Sequence, residues 1–201
     1  GGHKNRHTSL EGSEERNTRT YMFESVKNFF RRRKIRKLSR AVPTGLLPLS
    51  EISSVKVVMD VEEAGWDVLK EDILAWGRET GLKVGLYFFD FRKLGKNELL
   101  LTSIQTTVAR KDLNWIGMPS YERVAGLIEE PCDLFISLID NSDYPIDFIS
   151  KCSCARFKIG RKAYPGHCFD MICSGKCSEG LRSGGGEVFA GIVGFIGKIS
   201  K

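Results

Sequence analysis

Three histidines and six cysteines are few among 201 residues. The cysteines follow no regular pairing and include no C-x-x-C, which excludes a thioredoxin-type redox motif. No stretch is apolar for long enough to cross a bilayer; the longest, Val188–Ile199 (VFAGIVGFIGKI), is short and glycine-rich. Residues 1–30 lack the apolar run of a secretory signal. No G-x-G-x-x-G or Walker pattern occurs, so neither nucleotide-binding loop can be read from the chain. With no such apolar run in residues 1–30 and irregular cysteines, the chain does not read as a disulfide-stapled secreted scaffold, and a reducing cytoplasm is expected.

What is present suits one well-buried domain plus a tail. The net charge of +6 is unevenly placed. Residues 22–40, MFESVKNFFRRRKIRKLSR, hold eight basic residues against one acid, and residues 1–21 hold four against three. Residues 41–201 therefore carry −2, and the basicity belongs to one segment.

Residues 1–21 are polar and turn-rich, which predicts a disordered lead or an over-called start, with Met22 as the true beginning. Residues 22–47 read as a basic helical arm ending before Pro43. Residues 48–201 read as a single α/β domain. Ser54–Val61, Lys83–Asp90, Cys132–Ile139, Ala155–Arg161 and Phe169–Cys173 carry strand patterns, with a short strand near Ser103–Thr107. Helices are predicted at Trp66–Thr80, stopped by Gly81, at Tyr121–Glu129, at Tyr144–Cys152 and at Glu187–Ser200. This alternation predicts a three-layer αβα, Rossmann-like architecture with a mostly parallel sheet behind an N-terminal basic helix.

In such sheets ligands sit beyond the carboxyl ends of the strands. The candidate pocket residues are Asp60, Glu62, Asp140, Asn141 and Asp143. Their oxygens suit a hard cation, whereas Asn141–Ser142–Asp143 also suits a cap on the helix at Tyr144–Pro145, the favoured reading. Ser183–Gly184–Gly185–Gly186 has the composition of an anion cradle and, more commonly, of a flexible connector. Cys152, Cys154, His167 and Cys177 would hold zinc only if loops gathered them. Cys168 and Cys173 are expected on opposite faces of a strand, with Phe169, Met171 and Cys173 sharing one face, so sheet core with incidental thiols is preferred and no metal or cofactor is expected. The run of Lys27, Arg31, Arg32, Arg33, Lys34, Arg36 and Lys37 suits anionic lipid headgroups or nucleic-acid phosphates, with Phe23, Phe29 and Phe30 placed to enter a lipid interface.

Lys111-Asp112-Leu113-Asn114-Trp115-x-Gly117-x-Pro119, Glu130–Leu138, Phe157–Arg161 and Phe169–Ile172, together with the short basic helix at Met22–Leu38, resemble an uncharacterised bacterial family known only as a domain of unknown function. The likeness spans about residues 22–200; Ser137 stands where that family often has an acid. It implies a cytoplasmic α/β protein and no particular activity. Asp133–Arg161 also resembles a strand–helix–strand segment in the first domain of heptosyltransferase-type glycosyltransferases, which bears on the sheet alone.

The expected function is thus a cytoplasmic binding or accessory module, peripheral to the inner membrane, whose basic helix contacts a membrane or nucleic acid. The alternative is a small enzyme or nucleotide- or sugar-nucleotide-binding domain using the acidic strand ends.

Overall fold

The computed structural model describes residues 7–95, 98–141, 144–175 and 184–199. It comprises two units, Gly1–Leu38 and Ser39–Lys201.

The first unit is one helix, α1 (His7–Leu38). No proline interrupts it, and Arg36 and Lys37 in its last turn oppose the negative pole of the helix. Residues 7–21, expected without regular structure, are continuous with the arm. Glu11, Glu14, Glu15, Arg16 and Arg19 are sound helix formers, and a polar segment need not be a loop.

In the second unit the elements run β1 (Ser54–Asp60), α2 (Trp66–Thr80), β2 (Lys83–Asp90), β3 (Thr107–Ala109), α3 (Tyr121–Ile128), β4 (Cys132–Ser137), α4 (Tyr144–Cys152), β5 (Ala155–Gly160), β6 (Met171–Ile172) and α5 (Gly185–Ile196). Among the described residues the six strands form one parallel sheet in the order β3-β2-β1-β4-β5-β6. This is the doubly wound order: the chain builds outward from β1 to β3, then returns to the other side of β1 to lay down β4, β5 and β6. Gly81 ends α2 in the left-handed conformation (φ 71°), as the sequence pattern requires.

Several expected boundaries move, among them Cys132–Ile139, which ends at Ser137, and Glu187–Ser200, which ends at Ile196. The strand near Ser103–Thr107 begins at Thr107, because the Ser103 carbonyl accepts hydrogen bonds from Thr106 N (3.1 Å) and Thr107 Oγ1 (2.6 Å), curling residues 103–106 into a turn. The strand expected at Phe169–Cys173 contracts to Met171–Ile172. Phe169 does not share a face with Met171 and Cys173. Its ring stacks on Phe135 and lies over Gly160, where a Cβ would approach within 2.3 Å, while Met171 and Cys173 pack against the opposite core. The last helix spans Gly185–Ile196, two residues earlier at its start than Glu187.

The register sorts side chains by parity. Val55, Val57 and Met59 align with Val84, Leu86 and Phe88 of β2, and Leu134 and Ile136 of β4 align with Phe157 and Ile159 of β5. These residues meet Leu69, Ile73 and Trp76 of α2 and Val188, Phe189, Ile192 and Ile196 of α5. The opposite face carries Lys56, Phe89, Phe135, Ser137 and Lys158 and faces α3 and α4. Burying the core side chains stabilises by about 1.5–3 kcal/mol apiece before the entropy of ordering is subtracted.

Lys56 Nζ donates to the carbonyls of Gly126 (2.6 Å) and Glu130 (2.7 Å) at the end of α3, and Lys158 Nζ donates to Ser150 O (2.7 Å) near the end of α4. Each helix on this face thus has a lysine from the sheet below it set against its negative pole. Burial lowers both lysine pKa values below the usual range.

Candidate functional site

The strand order reverses between β1 and β4, and the crevice beyond their carboxyl ends is where this architecture places ligands. Asp60 closes β1 and is buried. Its Oδ1 accepts Glu62 N at 2.8 Å, and its Oδ2 accepts the side-chain amide of Asn141 from beyond β4. Asn141 therefore joins β1 and β4 directly. Asp140 Oδ2 lies 3.8 Å from Arg161 Nη2, and Glu62 is exposed at the rim. The structure thus brings Asp60, Asp140 and Asn141 together; Ser142, Asp143 and Ser183 lie outside the described residues, and with them the cap expected at Asn141–Asp143.

The pocket residues selected from the sequence leave out the two groups that organise this crevice, Arg161 and Glu63, although Glu63 lies in the acidic strand end Asp60–Glu63. Arg161, directly after β5, is only 7% exposed; its Nη1 donates to Glu63 Oε1 (2.9 Å), Glu63 Oε2 (2.8 Å) and Leu138 O (3.1 Å). Glu63 Oε1 also accepts the N–H of Gly185 at 2.7 Å, in the first turn of α5. A Cβ there would lie 3.0 Å from Leu69 Cδ2 and 3.2 Å from Glu63 Oε2, so those side chains would have to give by a few tenths of an ångström. The glycine-rich approach to α5 does meet an anion at Gly185, and that anion is the protein's own carboxylate. The available signal was position: the reasoning that selects Asp60 after β1 and Asp140 after β4 selects Arg161 after β5.

Chemically the crevice offers carboxylates and one amide, with its guanidinium hydrogen-bonded to Glu63 and within ion-pair range of Asp140. Glycine-rich phosphate loops present free N–H groups at this turn; here Val61–Asp67 presents Glu62 and Glu63 and one glycine.

The cysteines lie elsewhere. Cys132, Cys152, Cys154 and Cys168 are buried free thiols, Cys173 is half-buried, and His167 is exposed in a turn at φ 49°. Burial pushes the Cys132 thiol up to about 11 and those of Cys152 and Cys168 up to about 12. At neutral pH these three are protonated and poor nucleophiles. Among the described residues no three His, Cys, Asp or Glu side chains are gathered to hold a metal, and Cys177 lies outside them. A cleft of about 250 Å³, lined by Val42, Pro43, Ser54, Cys132, Cys154 and Arg156 among others, opens at the amino ends of β1, β4 and β5. It lies at the opposite end of the strands from the crevice. Beside it Asp133 Oδ2 accepts Ser53 N (2.9 Å), Ser53 Oγ (2.7 Å) and Ser54 N (3.1 Å). Burial pushes that carboxyl up, and these hydrogen bonds outweigh it and hold the pKa below the usual value.

The basic residues belong to α1 and are best described on that helix alone. Arg32, Arg33, Arg36 and Lys37 are exposed, and Lys27, Arg31 and Lys34 are half-buried. The single acid among them, Glu24, is paired to Lys27 at 3.0 Å and to Arg31 at 3.7 Å. Its pKa is lowered chiefly by the Lys27 hydrogen bond. Among the described residues no helix is long and apolar enough to cross a membrane.

The family model of a family of unknown function, DUF6913, matches residues 27–179. The chain belongs to that family. No curated protein and no solved structure matches the chain. The DUF6913 match opens at Lys27, within α1, and takes in the basic run and all six strands. Asp60, Glu63, Asp140, Asn141 and Arg161 fall inside it, and α5, whose first turn Glu63 holds, falls outside it.

Proposed function

We propose that this member of DUF6913 is a binding or accessory protein whose basic helix docks on an anionic surface. The carrying observation is the charge of residues 22–38 of α1, seven basic groups against one acid on a continuous helix, with the acid already paired to Lys27 and Arg31. Each exposed Lys or Arg near an anionic surface contributes about 1 kcal/mol at physiological ionic strength. Seven residues, Lys27, Arg31, Arg32, Arg33, Lys34, Arg36 and Lys37, make up the contact. Membrane and nucleic acid both supply the phosphates, and the reading places the protein in the cytoplasm, peripheral to the inner membrane. The test compares full-length protein with a deletion of residues 22–40 in vesicle and RNA retention assays. Loss of retention with the deletion is expected, and equal retention dismisses the reading.

The strand order favours a second reading, in which the crevice takes a small ligand and the chain is a small enzyme or a nucleotide- or sugar-nucleotide-binding domain. Asp60, Glu62, Asp140 and Asn141, with Asp143, would contact ligand hydroxyls or a hard cation. Thermal melts with Mg²⁺, Mn²⁺, nucleotides and nucleotide sugars test it; a concentration-dependent rise in Tm abolished by Asp60→Asn supports it, and no shift with any of them removes it.

A further inference from the structure

Met22, Phe23, Val26, Phe29 and Phe30 recur at i, i+1, i+4, i+7 and i+8, which places them along one face of α1. All five are exposed, from 44% for Phe30 to 66% for Met22. Lys27 Nζ sits 4.7 Å from the centroid of the Phe23 ring, and the Phe29 and Phe30 rings meet edge to face. The helical period carries the same stripe onward to Arg33 and Lys37, so an apolar band passes directly into a basic one. Flanking it are Lys34 on one side and Arg32 and Arg36 on the other.

Resting on the anionic-surface reading above, we propose that the surface is an anionic lipid bilayer, with α1 lying in the interface and Met22, Phe23, Val26, Phe29 and Phe30 inserted among the acyl chains. Charge alone does not choose between lipid and nucleic acid, because both present phosphates. The apolar stripe does choose. Aromatic rings stack on unpaired bases, but Met22 and Val26 gain nothing from a phosphate backbone, and a contiguous band of five large side chains is costly to leave in water. A bilayer interface buries the whole band, while the long stems of Arg32, Arg33, Lys34, Arg36 and Lys37 lift their charges to the headgroups.

The experiment uses the full chain with vesicles of phosphatidylcholine alone or mixed with phosphatidylglycerol, and with structured RNA. Three proteins are compared: wild type, Phe23→Ala/Phe29→Ala/Phe30→Ala and Arg31→Gln/Arg32→Gln/Arg33→Gln. Wild type is expected on the mixed vesicles and not on phosphatidylcholine. The arginine variant should bind about a hundredfold more weakly, and the phenylalanine variant about thirtyfold or more. In a Phe29→Trp variant, brominated lipid should quench fluorescence beyond the quenching seen in wild type. Binding that is lost with the arginines and indifferent to the phenylalanines, or that occurs with RNA and not with vesicles, overturns the lipid assignment and keeps the anionic-surface reading. Binding to neither polyanion removes both. A phenylalanine variant that melts at lower temperature, or a wild type that self-associates in solution through this stripe, also overturns it, because the band would then already be covered by protein.

Discussion

The two faces of the sheet are built on different principles. Toward α2 and α5 the strands present Val55, Val57, Met59, Leu134, Ile136 and Ile159, which interlock with Ile73, Trp76, Val188, Phe189 and Ile192. This face is held by shape and by the removal of apolar surface from water. Toward α3 and α4 the same strands present Lys56, Ser137 and Lys158 beside Phe89 and Phe135. Here two ammonium groups lie against the carbonyls that end each helix, so the helices are located by directed bonds as well as by packing. The difference teaches that a buried lysine need not be catalytic: its charge is satisfied by a helix pole, and the pole by its charge.

The largest expected effect lies on the apolar face. The Trp76 ring meets Phe189 edge to face at 5.5 Å between α2 and α5. Trp76→Ala should destabilise by about 3–5 kcal/mol in denaturant unfolding. A loss below about 1 kcal/mol would mean that α5 is not packed as described. On the polar face Lys56→Met should cost about 1–3 kcal/mol, since it orphans the carbonyls of Gly126 and Glu130 while relieving the desolvation of the amine. Hydrogen exchange should show the amides of α3 opening first. Lys158→Met should cost less, about 1 kcal/mol, because Ser150 O is the one carbonyl its amine is seen to engage. An equal or larger loss than at Lys56 would break the view that carbonyl count sets the scale.

The smallest signature is a slope with pH. Burial lowers the folded pKa of Lys56. Between that lowered value and about 10.4, the unfolded chain binds more protons than the folded one. Stability from this group therefore climbs as pH rises through the window, and the cost of Lys56→Met should grow toward pH 10. Paired unfolding curves of wild type and variant read the difference; a cost that shrinks with pH contradicts burial as the cause.

Much of this architecture was legible in the chain. The near-continuous apolar run at Cys132–Ile139 identified a strand covered on both sides, which ends at Ser137, and Gly81 marked the end of α2. Less legible were the weak edges. β3 was displaced because Ser103 and Thr107 make local bonds that compete with the ladder, and β6 shrank because Phe169 turned to fill the space over Gly160. In the crevice Asp60 and Asp140 were recognisable as strand ends. The pairing of Glu63 with Arg161 was not, since the two are 98 residues apart.

Sequence alone determined what depends on neighbouring residues: the periods that make strands and helices, the alternation that makes three layers, and the concentration of the net positive charge in residues 22–40. Tertiary structure alone decided what depends on distant ones. It set the strand order that puts the crevice between β1 and β4, and it seated Glu63 on both Arg161 and the first turn of α5. It also turned a run of cysteines into buried, protonated thiols at Cys132, Cys152 and Cys168. The physical reason is range. Backbone propensity and hydrophobic period act over a few residues, whereas ion pairing and desolvation are set by which segments the folded chain brings together.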